Sequence, residues 1–296
     1  MGRIVGIVVH RTRPEALAFA QDVIAWLEAR NIDVVLDREA ANRLGRPALG
    51  CDPSGLQAAE FIITLGGDGT ILTAARLAAE CAIPILGVHM GRFGFISEAH
   101  PSNLFEHLEA ILRGEMQVEE RMMIRADVWR NGEVTHSGVG LNDALVKSKL
   151  SHMLQIRMYL DSFLFATYPA DGVLVATPTG STAYALSAGG PLVVPTVQAL
   201  LVVPVCPHTL SARPMIVPAE EEIGIEIDTD GGEVLLAVDG VEPVVLQSED
   251  RIVIKRAEFF TRLIVLGNDS FYRKVRERYL YGERLNDLPR TVPENR

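Results

Sequence analysis

Apolar segments that lack an alternating polar face most constrain how this chain can fold. Residues 4–9 read IVGIVV and residues 61–65 read FIITL. Between them, apolar residues recur at helical spacing after Pro14, at Leu17, Ala20, Ile24 and Leu27. Strands that are apolar on both faces and alternate with helices are typical of a parallel sheet covered on both sides. The same pattern predicts further strands over 32–36 and 83–88, and helices over 70–79 and 103–112.

The pattern changes near residue 118 to one that is typical of antiparallel strands. Isoleucines alternate over 223–227, and the turn residues Asn131-Gly132 and Asp230-Gly231-Gly232 follow or precede apolar runs. We therefore predict a Rossmann-like parallel α/β domain over residues 1–118, followed by a β-rich, sandwich-like domain over 119–269. Residues 270–281 return to a helical pattern, and we expect a C-terminal helix within 270–290 to pack back on the first domain.

The acidic composition and the apolar runs exclude some classes of protein. The chain has 28 Lys and Arg against 38 Asp and Glu, a formal net charge of −10, which argues against binding of nucleic acid through its phosphate backbone. The longest apolar run, 191–206, contains three prolines, so no membrane-spanning helix is predicted. Cys51, Cys81 and Cys206 form no CxxC pair, and residues 1–10 do not resemble a signal peptide. These features predict a cytoplasmic protein.

The segment Gly66-Gly67-Asp68-Gly69-Thr70 lies between an apolar strand and a predicted helix. Glycines let a phosphate approach the backbone closely, and a helix N-terminus presents free N–H groups to it. Because ligands bind beyond the carboxyl ends of parallel strands, we expect Asp68 beside a substrate. There it could accept a proton in phosphoryl transfer or hold a metal. The alternative is a tight turn in which Asp68 caps the helix. The loop matches neither a Walker motif nor GxGxxG.

A second candidate is the polar loop within residues 171–190, which read DGVLVATPTGSTAYALSAGG. A predicted strand leads into a run of Thr, Ser and Gly, and a short helix follows. Hydroxyl and backbone groups there would suit a polar ligand, and Tyr184 could stack on a planar base. The alternative is a capped helix after a strand, which would leave the density of small hydroxylated residues unexplained.

A third and weaker candidate is the pair Asn142-Asp143, which follows Gly140 and interrupts apolar residues. An asparagine offers both a donor and an acceptor, and an aspartate offers two acceptors. These groups would suit a nucleotide base and ribose hydroxyls. Taken alone, the pair is also typical of a turn.

Five segments in this order resemble the bacterial NAD kinase family: Gly66-Gly67-Asp68-Gly69-Thr70, Gly91-Arg92-Phe93-Gly94-Phe95, Asn142-Asp143, the block 171–190, and Pro207-His208-Thr209-Leu210-Ser211-Ala212-Arg213-Pro214. The resemblance covers residues 3–279. The Gly-Gly-Asp-Gly segment is shared with diacylglycerol kinases, sphingosine kinases and phosphofructokinases, whereas the Thr-Pro-Thr-Gly-Ser-Thr-Ala-Tyr block is far more selective.

The resemblance implies transfer of the terminal phosphoryl group of ATP, or of polyphosphate, to the 2′-hydroxyl of the adenosine ribose of NAD⁺, which forms NADP⁺. It implies that Asp68 accepts the proton and that Gly66, Gly67, Gly69 and Thr70 form the phosphate loop, with Gly69 beside the nucleotide. It assigns NAD contacts to a set of further residues: Asn142, Asp143, His152, Asp171, Thr179, Thr182, Ala183, Tyr184, Ala185, Leu186 and Ser187. Asp239 matches an aspartate near the phosphates or the metal, and a hairpin turn is its alternative role.

The resemblance also implies partners. Mg²⁺ or Mn²⁺ would be carried largely by the donor phosphates, with no dedicated protein cage. Relatives form homodimers or homotetramers through the β-rich domain, and we expect residues 200–205 to reach a neighbour's pocket.

Three positions depart from the family pattern. Pro169 replaces a basic residue, which leaves the choice between ATP and polyphosphate open; Val241 replaces a polar residue; and the loop near His152 is a residue shorter. A lipid or sphingoid-base kinase and a non-catalytic NAD-binding sensor remain alternatives.

Overall fold

The computed structural model describes residues 2–91, 94–150, 153–228, 232–267 and 270–279. Seventeen strands are assigned within them: β1 (Ile4–Val9), β2 (Asp33–Asp37), β3 (Gly50–Cys51), β4 (Phe61–Gly66), β5 (Ile85–His89), β6 (Gln117–Arg130), β7 (Glu133–Gly140), β8 (Asp143–Ser148), β9 (Leu154–Leu160), β10 (Phe163–Ala170), β11 (Gly172–Ala176), β12 (Ala199–Val205), β13 (Met215–Pro218), β14 (Ile223–Asp228), β15 (Val234–Val238), β16 (Val241–Leu246) and β17 (Arg251–Val265).

The helices of the described residues are concentrated in the first third of the chain. They are α1 (Pro14–Glu28), α2 (Arg38–Arg43), α3 (Pro53–Leu56), α4 (Asp68–Ala78), α5 (Leu104–Leu112), α6 (Tyr184–Ser187) and α7 (Ser270–Tyr279). Short 3-10 turns occupy Pro47–Leu49, Ala79–Cys81 and Thr179–Thr182.

The N-terminal part forms the predicted parallel sheet. The strand order is β3-β2-β1-β4-β5, and each neighbouring pair is parallel. Pro14 lies at the start of α1, where its fixed φ favours a helix and its missing N–H costs nothing. The buried face of α1 packs against the sheet through Ala16, Ala20, Val23, Ile24 and Leu27. The parallel order places the carboxyl ends of β4 and β5 next to each other, where a ligand is expected.

The C-terminal part is a sandwich of antiparallel strands. One face belongs to the sheet that also carries the parallel strands, through β6, β7, β9, β10, β14 and β17; the other is a separate sheet with the order β13-β12-β11-β8-β15-β16. Buried side chains from both sheets, such as Ile156, Val175 and Ile254, form one apolar cluster between them. This packing agrees with the predicted sandwich-like arrangement.

Strand β17 connects the two parts. Its first half pairs with β14 and β6, and its residue Leu263 pairs in parallel with Ile85 of β5. It runs through fifteen residues, far beyond the apolar run Ile252-Val253-Ile254 at its start. The division of the chain at residue 118 stays a prediction.

The structure also describes several segments for which the sequence predicts a position or a contact. Residues 200–205 lie in β12, which is buried along its length and pairs with β11 and β13. The expectation that they reach a neighbouring copy is therefore wrong, because both edges of the strand are paired and the side chains on both of its faces are buried within this chain. Helix α7 packs back as expected as far as Tyr279, and residues 280–290 lie outside the described residues, as do Asp230 and Gly231 of the expected turn. In the described ranges, no helix is long and apolar enough to cross a membrane.

Candidate active site

Asp68 lies at the start of α4, directly beyond the carboxyl end of β4. It is the first residue of the helix rather than its N-cap, which is Gly67. Its carboxylate instead accepts hydrogen bonds from the segment after β5: the Phe95 N–H donates to Oδ2 at 2.9 Å and the Ile96 N–H donates to Oδ1 at 3.4 Å. The alternative in which Asp68 caps its own helix is therefore not what the structure shows.

Gly94 allows this approach. A Cβ built on Gly94 would lie 1.9 Å from Oδ1 of Asp68, so a side chain at this position would displace the carboxylate. Arg92 and Phe93, which belong to the same motif, lie outside the described residues. The last two residues of the Gly91–Phe95 motif thus lie against Asp68: Gly94 leaves room for its carboxylate, and the Phe95 N–H donates to it.

Asn142 and Asp143 are held by Asp239. The Asp239 carboxylate accepts the N–H groups of Leu141, Asn142 and Asp143 at 2.8, 2.8 and 3.1 Å. Asp239 itself lies in the turn between β15 and β16, where its φ of 50° and the 70° of Gly240 form the tight connection. Asp239 therefore has the predicted hairpin position and also fixes the 141–143 backbone, whereas its place near phosphates or a metal stays a prediction.

The Asn142 side chain is nine-tenths buried, and its Oδ1 has no hydrogen-bond partner among the described residues. A buried acceptor without a donor is costly unless a ligand supplies one. The backbone of Asn142 is packed tightly: its carbonyl accepts the Thr177 N–H at 2.8 Å, and a Cβ on Gly180 would lie 2.1 Å from that carbonyl. The second and third candidate segments therefore meet at Asn142.

The residues of the 171–190 block divide into inward and outward groups. Thr179 and Ala185 are buried, Thr182, Ala183 and Leu186 are half-buried, and Tyr184 and Ser187 are exposed. Ser181 bonds to the backbone of Val193 and therefore stabilises the loop. The Tyr184 ring, 43% exposed, is free to contact a planar ligand.

Asp171 does not join this group within one protomer. It precedes β11 at the end where Gly172 pairs with Lys147, whereas Asn142 lies beyond the end where Ala176 pairs with Asp143. Five residues of extended strand separate the two ends by about 17 Å. His152 lies outside the described residues.

A cavity of about 690 Å³ opens beside the phosphate loop. It is named the basic cavity for the three arginines in its lining, although Asp37, Asp68 and Glu242 balance them in formal charge. Gly67, Asp68, Gly69 and Thr70 line one side of it, and three guanidinium-bearing residues, Arg11, Arg13 and Arg76, line it as well. Val241 and Glu242, which follow the Asp239 turn, complete the wall. No sequence motif indicated these arginines. Arg11 and Arg13 lie in the loop between β1 and α1, whereas Arg76 lies in α4, and only the fold brings them together.

The described residues contain no group of three or more His, Cys, Asp or Glu that could hold a metal ion by itself. Three carboxylates, those of Asp37, Asp68 and Glu242, line the basic cavity. One or two carboxylates together with substrate phosphates are a common environment for Mg²⁺, so the cavity fits a metal that is shared with a phosphorylated ligand.

Two domain models of known families match this chain. Residues 5–116 match the ATP-NAD kinase N-terminal domain, and residues 141–266 match the ATP-NAD kinase C-terminal domain. The chain belongs to the ATP-NAD kinase family. This confirms the predicted family and the prediction that the chain is a phosphotransferase.

Curated NAD kinases from bacteria align with most of this chain. It is 43% identical over 279 residues to an NAD kinase from Moorella thermoacetica, which spans 94% of this chain and 89% of that protein. It is 40% identical over 275 residues to an NAD kinase from Symbiobacterium thermophilum, which spans 92% and 97%. These matches favour neither the lipid kinase nor the sensor alternative.

Two solved structures share the fold. A yeast NADH kinase complexed with NADH superimposes with a TM-score of 0.87 at 25% identity, over 97% of this chain and 90% of that chain. An NAD kinase from Archaeoglobus fulgidus in complex with ATP gives a TM-score of 0.70 at 24% identity, over 91% and 96%. The predicted fold class is confirmed.

The electrostatics of the Asn142 region are dominated by two buried carboxylates. Burial, with the nearby Asp239 carboxylate, raises the pKa of Asp143 from 3.8 to about 7. Burial also raises the pKa of Asp239, against the three N–H donors and Arg76, which lower it. The pKa values of both carboxyl groups are therefore raised, and burial is the main cause for each.

The buried Asp143 predicts a pH-dependent stability. The folded state binds the proton of the Asp143 carboxyl group more tightly than the unfolded chain does, so protonation of Asp143 stabilises the fold. This stabilisation is complete below pH 3.8 and is lost as the pH rises through about 7. Asp143→Asn should therefore raise the Tm, relative to the unsubstituted protein, more at about pH 8 than at about pH 4. Asp22→Asn, an exposed site on α1, is the control. Equal differences in Tm at both pH values would contradict the assignment.

Proposed function

We propose that this chain transfers the terminal phosphoryl group of ATP to the 2′-hydroxyl of the adenosine ribose of NAD⁺, with Asp68 as the proton acceptor and NADP⁺ as the product. The observation that carries this proposal is the position of the Asp239 hairpin. Its carboxylate fixes Asn142 and Asp143, while the next residues, Val241 and Glu242, line the basic cavity beside Asp68. One turn thus borders both a dinucleotide pocket and a phosphate pocket.

The acceptor side is the region around Asn142. Its unpartnered Oδ1 would accept a hydrogen bond from an amino or hydroxyl group of the adenosine, and Asp143 would accept from a ribose hydroxyl. The exposed ring of Tyr184 would stack on a base, with Thr182, Ala183, Leu186 and Ser187 around it. Leu141 packs in the same apolar cluster as Ile71 and Ala74 of α4, which keeps this pocket beside the helix that begins at Asp68.

The donor side is the basic cavity. Arg11, Arg13 and Arg76 would hold phosphate oxygens, because a guanidinium matches phosphate geometry. Backbone N–H groups at the start of α4 add to the positive potential. Pro169, the departure from the family pattern, lies in β10 and not in the lining of this cavity. Its effect on the choice between ATP and polyphosphate would therefore be indirect, and polyphosphate remains a second donor to be tested.

The transfer balances with the groups on these two sides. The Asp68 carboxylate takes the proton of the ribose 2′-hydroxyl as that oxygen bonds to the terminal phosphorus, and the bond from this phosphorus to the bridging oxygen of the donor breaks. The pair of electrons leaves with ADP, whose charge the arginines stabilise. Asp37, which lines the same cavity, would hold Mg²⁺ or Mn²⁺ together with the donor phosphates, and Asp68 would stay free to accept the proton. The metal would supply charge neutralisation.

The role of Asp68 predicts a large effect on turnover. Asp68→Asn keeps the shape of the side chain but removes the proton acceptor, so kcat should fall by about two to four orders of magnitude. The Kd for NAD⁺, measured by calorimetry, should change little. The assay follows NADP⁺ formation with ATP and with polyphosphate, each with Mg²⁺. Turnover close to that of the unsubstituted protein would reject Asp68 as the base, and NAD⁺ binding without any NADP⁺ in the unsubstituted protein would favour the sensor alternative.

For Asn142 we expect an effect on NAD⁺ binding rather than on turnover. Asn142→Ala removes the buried acceptor and should weaken NAD⁺ binding by roughly tenfold, the equivalent of one hydrogen bond. Asn42→Ala, at an exposed position of α2, is the matched control. Calorimetric titration with NAD⁺ measures both, and an unchanged Kd for the Asn142 variant would exclude this contact.

We also propose that the chain works as a homodimer or homotetramer. Phe163, Leu164 and Phe165 of β10 are all exposed on the β-rich part, which favours a protein contact there. The distance between Asp171 and Asn142 supports the same conclusion. If both contact one NAD⁺ molecule at its adenosine end, a second copy would supply Asp171.

Complementation tests this assembly. Asp68→Asn and Asp171→Ala are each expected to have low activity, but a mixed oligomer would contain one site with both native residues, so co-expression should restore part of the turnover. Light scattering should give a mass above the 32.3 kDa of one chain. A monomeric mass, or no recovery in a verified mixed oligomer, would contradict the shared site.

A further inference from the structure

Lys274, on α7, carries a buried charge and lies outside every sequence motif described above. Its side chain is 3% exposed, and its ammonium group forms an ion pair at 2.6 Å with Glu98, whose side chain is 4% exposed. Burial lowers the pKa of Lys274, and Glu98 and Asp68 oppose this effect. A buried ion pair is an inefficient source of stability compared with apolar packing. Its presence in this position therefore needs another explanation.

Three hydrogen bonds of Lys274 reach one short segment. Its ammonium donates to the Phe95 carbonyl at 3.1 Å and to the Ser97 carbonyl at 2.8 Å, in addition to Glu98. These three residues follow β5 and precede α5. One side chain of the C-terminal helix thus holds three of four consecutive residues of the segment.

The same segment holds Asp68 from its other side. The Phe95 N–H donates to Oδ2 of Asp68, and the Ile96 N–H donates to Oδ1. Phe95 therefore links the two charged groups directly, since its carbonyl accepts from Lys274 and its N–H donates to Asp68. A displacement of this peptide segment would move the Asp68 carboxylate.

Helix α7 also holds the ring of Phe95. The Tyr279 ring stacks on it with a centroid distance of 5.6 Å, and the Arg278 guanidinium lies 4.9 Å from its centroid. These contacts come from the same helix as Lys274 and reinforce the same position.

We propose that Lys274 is a positioning residue for Asp68: it fixes the 95–98 segment, whose N–H groups orient the carboxylate toward the two pockets. This rests on the proposed role of Asp68 as the proton acceptor. Lys274 does not contact the substrates in this arrangement. It acts through the backbone of Phe95, and the effect of its loss is misplacement of the base.

The first test separates turnover from binding. Lys274→Met should lower kcat by about 10- to 100-fold, the cost of a small misplacement of a catalytic group, and leave the Kd for NAD⁺ within about threefold of its original value. Arg276→Met, at an exposed position of the same helix, is the control and should have neither effect. An unchanged kcat for a folded Lys274→Met protein would overturn the proposal.

A second variant removes the complication of an unpaired buried carboxylate. Lys274→Met leaves Glu98 without its ion pair, which by itself lowers stability. The double variant Lys274→Met/Glu98→Gln should recover much of the lost Tm and keep the low kcat. Recovery of kcat together with Tm would show that the pair only anchors α7, and would overturn the proposal.

A third measurement asks whether the effect passes through Asp68. The double variant is combined with Asp68→Asn, and the residual turnover is compared with that of Asp68→Asn alone. If Lys274 acts by orienting the carboxylate that accepts the proton, the further loss should be less than about threefold, because the two losses are not additive. If Lys274→Met/Glu98→Gln lowers the turnover of the Asp68→Asn protein by the same factor as it lowers that of the protein with Asp68, the proposal is overturned. Native-like turnover of Asp68→Asn alone would instead reject the proposed function of Asp68.

Discussion

Hydrogen bonds from backbone N–H groups to two aspartates hold the site together. Asp68 accepts from the segment after β5, and Asp239 accepts from the three residues that lead into β8. Hydrogen bonds to a charged acceptor are stronger than neutral ones, and in a buried region they are also less screened. Two loops that would otherwise expose free N–H groups are thereby fixed with respect to α4 and to the β15–β16 hairpin. The placement of Asn142 and of the basic cavity depends on these bonds.

Local patterns were sufficient to predict the parallel sheet, the β-rich part and the family. Apolar strands such as β1 and β4 and the helical spacing after Pro14 are properties of neighbouring residues, so periodicity identifies them. The same holds for the hairpin at Asn131-Gly132, where φ values of 53° and 83° show the tight turn that the dipeptide favours. The polar segments around Asp68, Asn142-Asp143 and Tyr184 indicated candidate sites by themselves, and the resemblance assigned roles to individual residues within them.

The features that the sequence did not predict are contacts between distant residues. Lys274 and Phe95 are 179 positions apart, and neither belongs to a periodic pattern that would indicate their contact. Likewise, residues 200–205 look like any apolar run, and only the pairing of β12 with strands on both sides shows that they are buried. Asp171 and Asn142 belong to neighbouring motifs in the sequence, but an extended β11 separates them in space. In each case the deciding information is the pairing of strands, which a single sequence does not contain.

Strand β17 has a mechanical consequence. It runs through fifteen residues and stays paired with β6 on both sides of the irregularity between Arg256 and Phe260. Many two-part enzymes close over their substrates by rotating one half about a flexible linker. Here such a rotation would have to bend β17 together with the ladder of backbone hydrogen bonds that it forms with β6, and the irregularity is the place where this ladder is already interrupted. A strand that belongs to both parts thus restrains their relative rotation more than a flexible linker would.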